Sequence, residues 1–561
     1  MLNLQDRAIQ SAAPDGQAWR YLNKPGFDPR PLRVCIAGAG ASGICLAIKL
    51  LEAQQNGFLR PLEFVIYERD DDFGGTWNAN RYPGCRCDIP SHVYQFSFAP
   101  YSDWSKFYSP APEINGYLHR VVYKYKLAPY IKLSHKVAGA AYSEETGKWA
   151  ITVETGDSSF TSDFDVYVPA TGVLSQVNRP NIQGLEQFTK NPILHTAEWP
   201  RDLDFKTAFK DETVAVIGIG SSGVQTVGAI APYAKQVEIF ARSQVLDGPE
   251  EKDLYARDPA AFHKHTSALT AATMTLFDVF MRGSDNQKHV RALVEAKMRE
   301  DLRHNPELID KIIPDFDVWC RRVTPCAPFI DALHRDSVTL DKSPIVNVTE
   351  EGIVTAEGLK KVDRIILATG FDTSFRPRYP IEAKGKSLGD VWAKRPKCYM
   401  SVAVAGFPNL FFMCGPGTIF ANGSLLAGVE ANSGYIVEAL HILQQQDVLT
   451  MEVKPDAQAE YNEQQDSLME DLVFSGACSS WYKGGDANGK PDALFAGSTL
   501  QFIELLSRPR WQDWNFRTIH KNRFSFLGNG TGTVEATGGD RAWYIKQQDH
   551  VEPLRADDPL A

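Results

Sequence analysis

Residues 33–43 read RVCIAGAGASG: a short apolar run from Arg33 to Ala37 breaks into Gly38-Ala39-Gly40-Ala41-Ser42-Gly43 and continues as ICLAIKLLEAQ. That order is strand, tight glycine turn, helix. A GxGxxG turn so placed lets the backbone approach a pyrophosphate while the helix N-terminus faces its negative charge. One such turn is weak evidence, but the chain repeats it. Val214–Ile217 leads into Gly218-Ile219-Gly220-Ser221-Ser222-Gly223 and then VQTVGAIAPYA. A second echo follows: Asp165-VYVP-Ala170-Thr171-Gly172 and Asp363-RIIL-Ala368-Thr369-Gly370 are each an apolar strand closed by a glycine. Two dinucleotide-binding units are expected.

Both glycine turns precede the second Ala-Thr-Gly, so the first unit is read as split, with the second inserted into it. The fold class is α/β with two Rossmann-like dinucleotide-binding domains. The expected layout begins with a proline-bearing surface extension at 1–32 and the first part of the first domain at 33–175. The second domain follows at 176–344, and the rest of the first domain with C-terminal loops at 345–561. Residues 256–312 read as a helical insertion in the second domain. The stretches GPGTIFANGS, SSWYKGG and FLGNGTGTVEATGGD read as loops and receive no chemistry.

Composition narrows the classes. At about 150 residues per domain, 561 residues allow three to four domains, and 43% apolar with 23% charged residues disfavours disordered or fibrous chains. No apolar run approaches the ~20 residues of a membrane span. A net charge of −10 without a long Lys/Arg block disfavours a nucleic-acid surface. MLNLQDRAIQSAAPDGQ lacks the regions of a secretory signal, and ADDPLA carries no lipidation or retention motif, so a cytoplasmic location is expected. The nine scattered cysteines then read as reduced thiols. Cys35 and Cys45 suit small core positions, and Cys85-Arg86-Cys87 is poorly spaced for a redox disulfide. No CxxC or HExxH occurs, so no metal is expected, and His263 and His265 read as solvated helix residues.

The residues after the second strand of each unit separate the two cofactors. Glu68 closes LEFVIYE, where a carboxylate can accept the ribose hydroxyls of an adenosine. QVEIF of the second unit runs instead into Ala241-Arg242-Ser243, and an Arg there suits a 2′-phosphate, favouring NADP over NAD. An exposed Arg without a ligand is the plainer alternative. Two such sites in one chain point to a flavoprotein that takes hydride from a nicotinamide.

The run from Gly74-Gly75-Thr76-Trp77 through Tyr82-Pro83-Gly84 to Asp88 closely resembles the signature (A/G)GxWxxxx(F/Y)P(G/M)xxxD of Baeyer–Villiger monooxygenases, and every fixed position is met. NPILHTAEWPRD resembles the second half of that family's longer fingerprint through His195, Trp199 and Pro200. Its first half departs: Phe188 stands one residue too far away and Asn191 replaces a glycine. Asn78 and Ala79 also replace aromatic residues common after the Trp. Cys320-Arg321-Arg322-Val323-Thr324-Pro325 is similar to the family's active-site basic pair, and SWYKGG and PRWQDW look like fungal members. The resemblance runs from Arg33 to about Phe516.

The resemblance implies that NADPH reduces bound FAD, that oxygen adds to give a C4a-peroxyflavin, and that this attacks a ketone. The product is an ester or lactone. It implies catalytic roles for Arg322, the fixed cation, and for Asp88, which holds it and touches cofactor. The carry-over for flavin covers Gly38, Gly40, Ser42, Gly43, Glu68, Thr76, Trp77, Asp88 and Tyr94. For NADP it covers Arg86, Asp88, Gly220, Ser221, Ser222, Gly223, Gln225, Arg242, Ser243 and Arg321. His195 and Trp199 are implied to couple domain movement to cofactor exchange, and a buried His with a packing Trp fits them nearly as well. Two alternatives stand beside this reading: a flavin monooxygenase that oxidises nitrogen or sulfur, and a non-catalytic NADP-binding protein.

Overall fold

Apolar runs that end in glycine form the centres of two parallel sheets. The computed structural model describes residues 21–60, 62–240, 259–325 and 327–545. The first sheet is ordered Ile131–Lys132, Leu62–Tyr67, Leu32–Ala37, Val166–Pro169, all parallel. The second is ordered Val338–Asp341, Gln236–Phe240, Thr213–Ile217, Arg364–Leu367, Leu194–His195, again all parallel. Their inner strands are almost wholly apolar because both faces are covered. Helix Ala41–Gln55 covers the first sheet and packs against the long helix Leu425–Gln445, whose N-terminus Ser424 caps through its hydroxyl.

The two units match hydrogen bond for hydrogen bond. Gly38 N donates to Tyr67 O at 2.8 Å, and Gly218 N to Phe240 O at 2.9 Å. Ala170 N donates to Ala37 O and Ala368 N to Ile217 O, both at 2.8 Å.

This match corrects the expected boundary at residue 345. The strand Arg364–Leu367 pairs with Thr213–Ile217 and belongs to the second sheet. The antiparallel strands Ile345–Thr349, Gly352–Thr355 and Gly358–Lys361 go with it, since Val348, Ile353 and Val362 share a core with Ile217, Phe240 and Ile365. The reason is steric. A Cβ on Gly38 would stand 2.7 Å from Ala170 O, and one on Gly218 2.6 Å from Ala368 O, so each turn needs its own fourth strand pressed against it. The chain rejoins the first unit at Ile381–Ala383, which extends the sheet of Lys136–Ser143, Lys148–Thr155 and Ser158–Phe164.

The outgoing and returning connections between the units touch. Asn178 N donates to Gly370 O at 2.9 Å and Asp372 N to Gln176 O at 2.8 Å, with an antiparallel bridge between Val177 and Phe371.

Among the described residues, the helical insertion comprises Pro259–Met274, Asp285–Asp301 and Pro306–Ile312. His263 is exposed as expected, but His265 is half-buried, edge-on to His92 at 5.3 Å. Cys35 and Cys45 are fully buried. The expectation of reduced thiols is corrected at one pair: Cys320 and Cys478 form a disulfide across 158 residues of sequence. Their Cα atoms are 6.2 Å apart, a proximity made by tertiary packing that linear spacing does not show. Among the described residues no helix is long and apolar enough to cross a membrane.

Candidate active site

Both glycine turns deliver a helix whose first N–H groups lack side-chain caps. Gly40 and Gly220 are the N-cap residues of Ala41–Gln55 and Ser221–Ile230, and neither helix has a side-chain cap. Orphan donors at a helix start, with the dipole behind them, suit a phosphate. The third glycines have another task. A Cβ on Gly43 would lie 2.1 Å from Gly38 O, and one on Gly223 2.0 Å from Gly218 O. Gly43 and Gly223 thus serve helix–strand packing and line neither cavity.

The cavity of the first unit brings together Gly38, Gly40, Ser42, Glu68, Thr76, Trp77 and Tyr94. Glu68 is buried, and its two oxygens accept from Ala39 N at 2.7 Å and Asp70 N at 3.0 Å. Burial raises its carboxyl above the usual range, against the pull of those two N–H groups. Trp77 Nε1 donates to Tyr94 Oη at 3.2 Å, and the Trp77 ring packs against the cores of both units. Arg378, Cys414 and Val429 also line this cavity and were not found from sequence, since they come from segments far along the chain. Uncapped donors, a close-approach turn and a buried acid together fit a dinucleotide.

The second cleft, of about 1020 Å³, is lined by Gly220, Ser221 and Ser222 together with Arg321 and Arg322. Arg321 lies beside Gly220, and burial lowers its guanidinium below the ordinary range. Lys342, just past the edge strand Val338–Asp341, is an exposed third cation lining the cleft and was missed from sequence. Arg242 and Ser243 lie outside the described residues.

Arg322 and Asp88 form a two-bond fork. Arg322 Nε donates to Asp88 Oδ2 at 2.5 Å and Nη2 to Oδ1 at 2.8 Å. The two side chains keep 27% and 19% of their surface. Burial opposes the charge on Arg322, but the carboxylate outweighs it and holds the guanidinium above its ordinary value. Arg322 lines the cleft while Asp88 does not. In this structure the contact of Asp88 is with Arg322.

Gln225 and Arg86, both expected at NADP, meet each other. The Gln225 amide is buried and spent on the signature segment. Its Oε1 accepts from Tyr82 Oη at 2.9 Å and Arg86 N at 3.4 Å, and its Nε2 donates to Arg86 O at 3.1 Å. Gly84 permits that clasp, because a Cβ there would lie 2.4 Å from Gln225 O.

His195 sits where the connections cross. Its Nδ1 accepts from Ala197 N at 3.1 Å, which leaves the proton on Nε2. Nε2 then donates to Thr369 Oγ1 at 3.1 Å, and that hydroxyl donates to Asn178 O at 2.7 Å. Burial lowers the imidazole pKa, keeping it neutral. Asn191, which stands where a glycine was expected, uses its amide to donate to Asp363 O at 2.8 Å. The SSWYKGG stretch, given no chemistry from sequence, places Ser480 and Trp481 on the cleft wall.

The flavin-binding monooxygenase-like family matches residues 32–465. The chain is 33% identical over 530 residues to the FAD-binding monooxygenase moxY of Dothistroma septosporum, covering 91% of this chain and 83% of that one. It is 32% identical over 488 residues to a Baeyer-Villiger monooxygenase of Pseudomonas aeruginosa, covering 85% and 90%. Among solved structures, an oxidised steroid monooxygenase bound to NADP is 27% identical with a TM-score of 0.73, covering 87% of this chain and 100% of that one. Two matched glycine-turn units, one of them carrying an arginine at its cleft, thus belong to a chain of the flavin-binding monooxygenase-like family.

Proposed function

We propose that this flavin monooxygenase is a Baeyer–Villiger enzyme holding FAD in the first cavity and NADPH in the second cleft. Its reaction is ketone plus O2, NADPH and a proton giving ester or lactone, NADP⁺ and water. The observation that carries this reading is Arg322, forked on Asp88 yet still lining the cleft. The likeness to the Pseudomonas aeruginosa enzyme supports it.

Flavin, when bound, supplies two-electron acceptance from nicotinamide and activation of O2. The chain's own residues do the rest. The N–H groups after Gly40 and Gly220 hold the two pyrophosphates, and Glu68 holds the adenosine ribose. Arg321, Lys342 and Arg242 supply charge for the phosphates of NADPH. Arg322 donates toward the carbonyl oxygen of the ketone as negative charge develops there. A guanidinium suits this task because it stays charged at any working pH and is held at one edge by Asp88. Arg322 is therefore the proposed catalytic residue and Asp88 a positioning residue.

The test supplies purified protein with NADPH, ¹⁸O₂ and a panel of linear, cyclic and polycyclic ketones, each mixed with a thioether. Esters or lactones carrying one ¹⁸O are expected. Sulfoxide formed with no ester would assign the enzyme to heteroatom oxidation. Acid denaturation should release FAD, and protein without flavin would make the chain a non-catalytic NADP binder. Arg322→Ala should cut ester yield by about a hundredfold or more, the scale seen when a preorganised oxyanion donor is removed. NADPH consumption should then end in hydrogen peroxide.

A further inference from the structure

Ser221 opens the helix Ser221–Ile230, and its hydroxyl oxygen lies 2.5 Å from that of Thr324. Both residues line the second cleft, and Thr324 is 2% exposed. Among the described residues, each of these hydroxyls has the other as its partner. Two hydroxyls carry two protons, and the bond between them uses one. The other is left for an acceptor in the cleft. The first turn lacks this arrangement, because Ala41 stands at the first helical position that Ser221 holds in the second. Thr324 follows Arg321 by three residues and Arg322 by two. The chain then stays on the same helix. A Cβ on Gly228, two turns past Ser221, would stand 2.9 Å from Phe329 N, so a second point of the segment is pressed against it.

We propose that Thr324 is a positioning residue for the pyrophosphate of the nicotinamide nucleotide. Its O–H donates to Ser221 Oγ, and the Ser221 proton is turned toward a phosphate oxygen, beside the uncapped N–H groups of the helix start. A pyrophosphate at neutral pH only accepts hydrogen bonds, so it completes the chain of donors with no proton left over. A hydroxyl that accepts one hydrogen bond also donates the next more strongly. The Ser221–Thr324 contact thus joins the phosphate-binding turn to the segment that carries Arg321 and Arg322. This inference rests on the reading of the second cleft as the NADPH site.

The experiment titrates NADP⁺, NAD⁺ and adenosine 2′-monophosphate into FAD-loaded wild type, Thr324→Val, Thr324→Ser, Ser221→Ala and the double variant Ser221→Ala with Thr324→Val, by calorimetry. The two dinucleotides share the pyrophosphate, and adenosine 2′-monophosphate lacks it. Thr324→Val should weaken NADP⁺ and NAD⁺ by the same factor, about three- to tenfold, the scale of one lost hydrogen bond. Adenosine 2′-monophosphate should bind as it does to wild type. Equal weakening of all three ligands would mean damage to the fold and would overturn the proposal. Thr324→Ser keeps the hydroxyl and should bring both dinucleotides back to within about twofold of wild type. The double variant should bind them no more weakly than Ser221→Ala, because the two hydroxyls act as one unit. If Thr324→Val fails to fold, Thr324→Ala is titrated in its place. Wild-type affinity for the dinucleotides in Thr324→Val, no recovery in Thr324→Ser, or additive losses in the double variant overturns the role of Thr324 alone. A wild type that binds neither dinucleotide overturns the reading of the cleft, and this inference with it.

Discussion

In the turn after Ala37 and the turn after Ile217 the backbone follows one course, with φ of +110° at Gly38 and +101° at Gly218. What surrounds the two turns differs. The first is roofed by the long helix Leu425–Gln445, through Leu425, Leu426 and Val429, and is backed by the buried Glu68. The second opens into a wide cleft whose wall is cationic, with Arg321, Arg322 and Lys342 on it. One glycine device is thus set in two surroundings: aliphatic side chains of the long helix beside the first turn, three cations beside the second.

Breaking each turn separately should therefore give unlike results. Gly43→Ala forces a Cβ to within 2.1 Å of Gly38 O, and the purified protein should be colourless. Gly223→Ala meets the same clash at 2.0 Å, yet the protein should stay yellow and lose only affinity for NADPH. The visible spectrum and an NADPH titration check both. If the two variants lose flavin equally, the contrast between the sites fails.

Charge at the second site gives the next effect in size. Arg242→Ala should weaken NADPH about ten- to hundredfold and leave NADH nearly unchanged, since a charge-assisted contact typically contributes about 1.5–3 kcal/mol. Steady-state KM for each nucleotide measures it, and an unchanged ratio removes Arg242 from the site.

Gln225→Leu sharpens the contrast in another way, because the clasp joins the units through Tyr82 and Arg86. Thermal unfolding should show a loss of about 1–3 kcal/mol from the orphaned Tyr82 and Arg86 groups, with NADPH affinity retained. A large rise in KM for NADPH would return Gln225 to the binding site.

The smallest effect concerns pH. His195 has a folded-state pKa lowered by burial, and the ordinary value is near 6.5. As pH falls, the unfolded chain takes up the proton first. The contribution of His195 is complete above about pH 6.5 and is lost as pH falls through the lowered folded value. Melting temperature should fall more steeply between pH 7.5 and 5.5 in wild type than in His195→Asn, whose amide oxygen can still accept from Ala197 N. Equal slopes would deny that this imidazole must stay neutral.

Which features were legible in the letters follows from how locally they are made. Each glycine turn is built by neighbours in sequence, so strand, turn and helix could be read directly, and with them Gly38, Gly40, Gly220 and Ser221. Glu68 and Arg322 were legible because they stand at fixed places in motifs. The boundary at 345 was misread because the fourth strand is chosen by contact, Ala368 O against Gly218, and that contact spans 150 residues of chain. The partners of Gln225 were hidden for a similar reason: an amide on the turn-bearing helix gives no sign in sequence that Tyr82 and Arg86 take it up. Arg378 and Lys342 carried no local pattern, and each reaches its cavity from a distant segment.

The paired connections at 176–178 and 370–372 set the mechanics of the whole molecule. A single tether between two bodies is a swivel, free to spin and tilt in any direction. Two tethers bonded side by side, Asn178 to Gly370 and Asp372 to Gln176, form a strap. A strap bends easily across its flat face and resists twisting. A shift in either connection is therefore passed directly to the other.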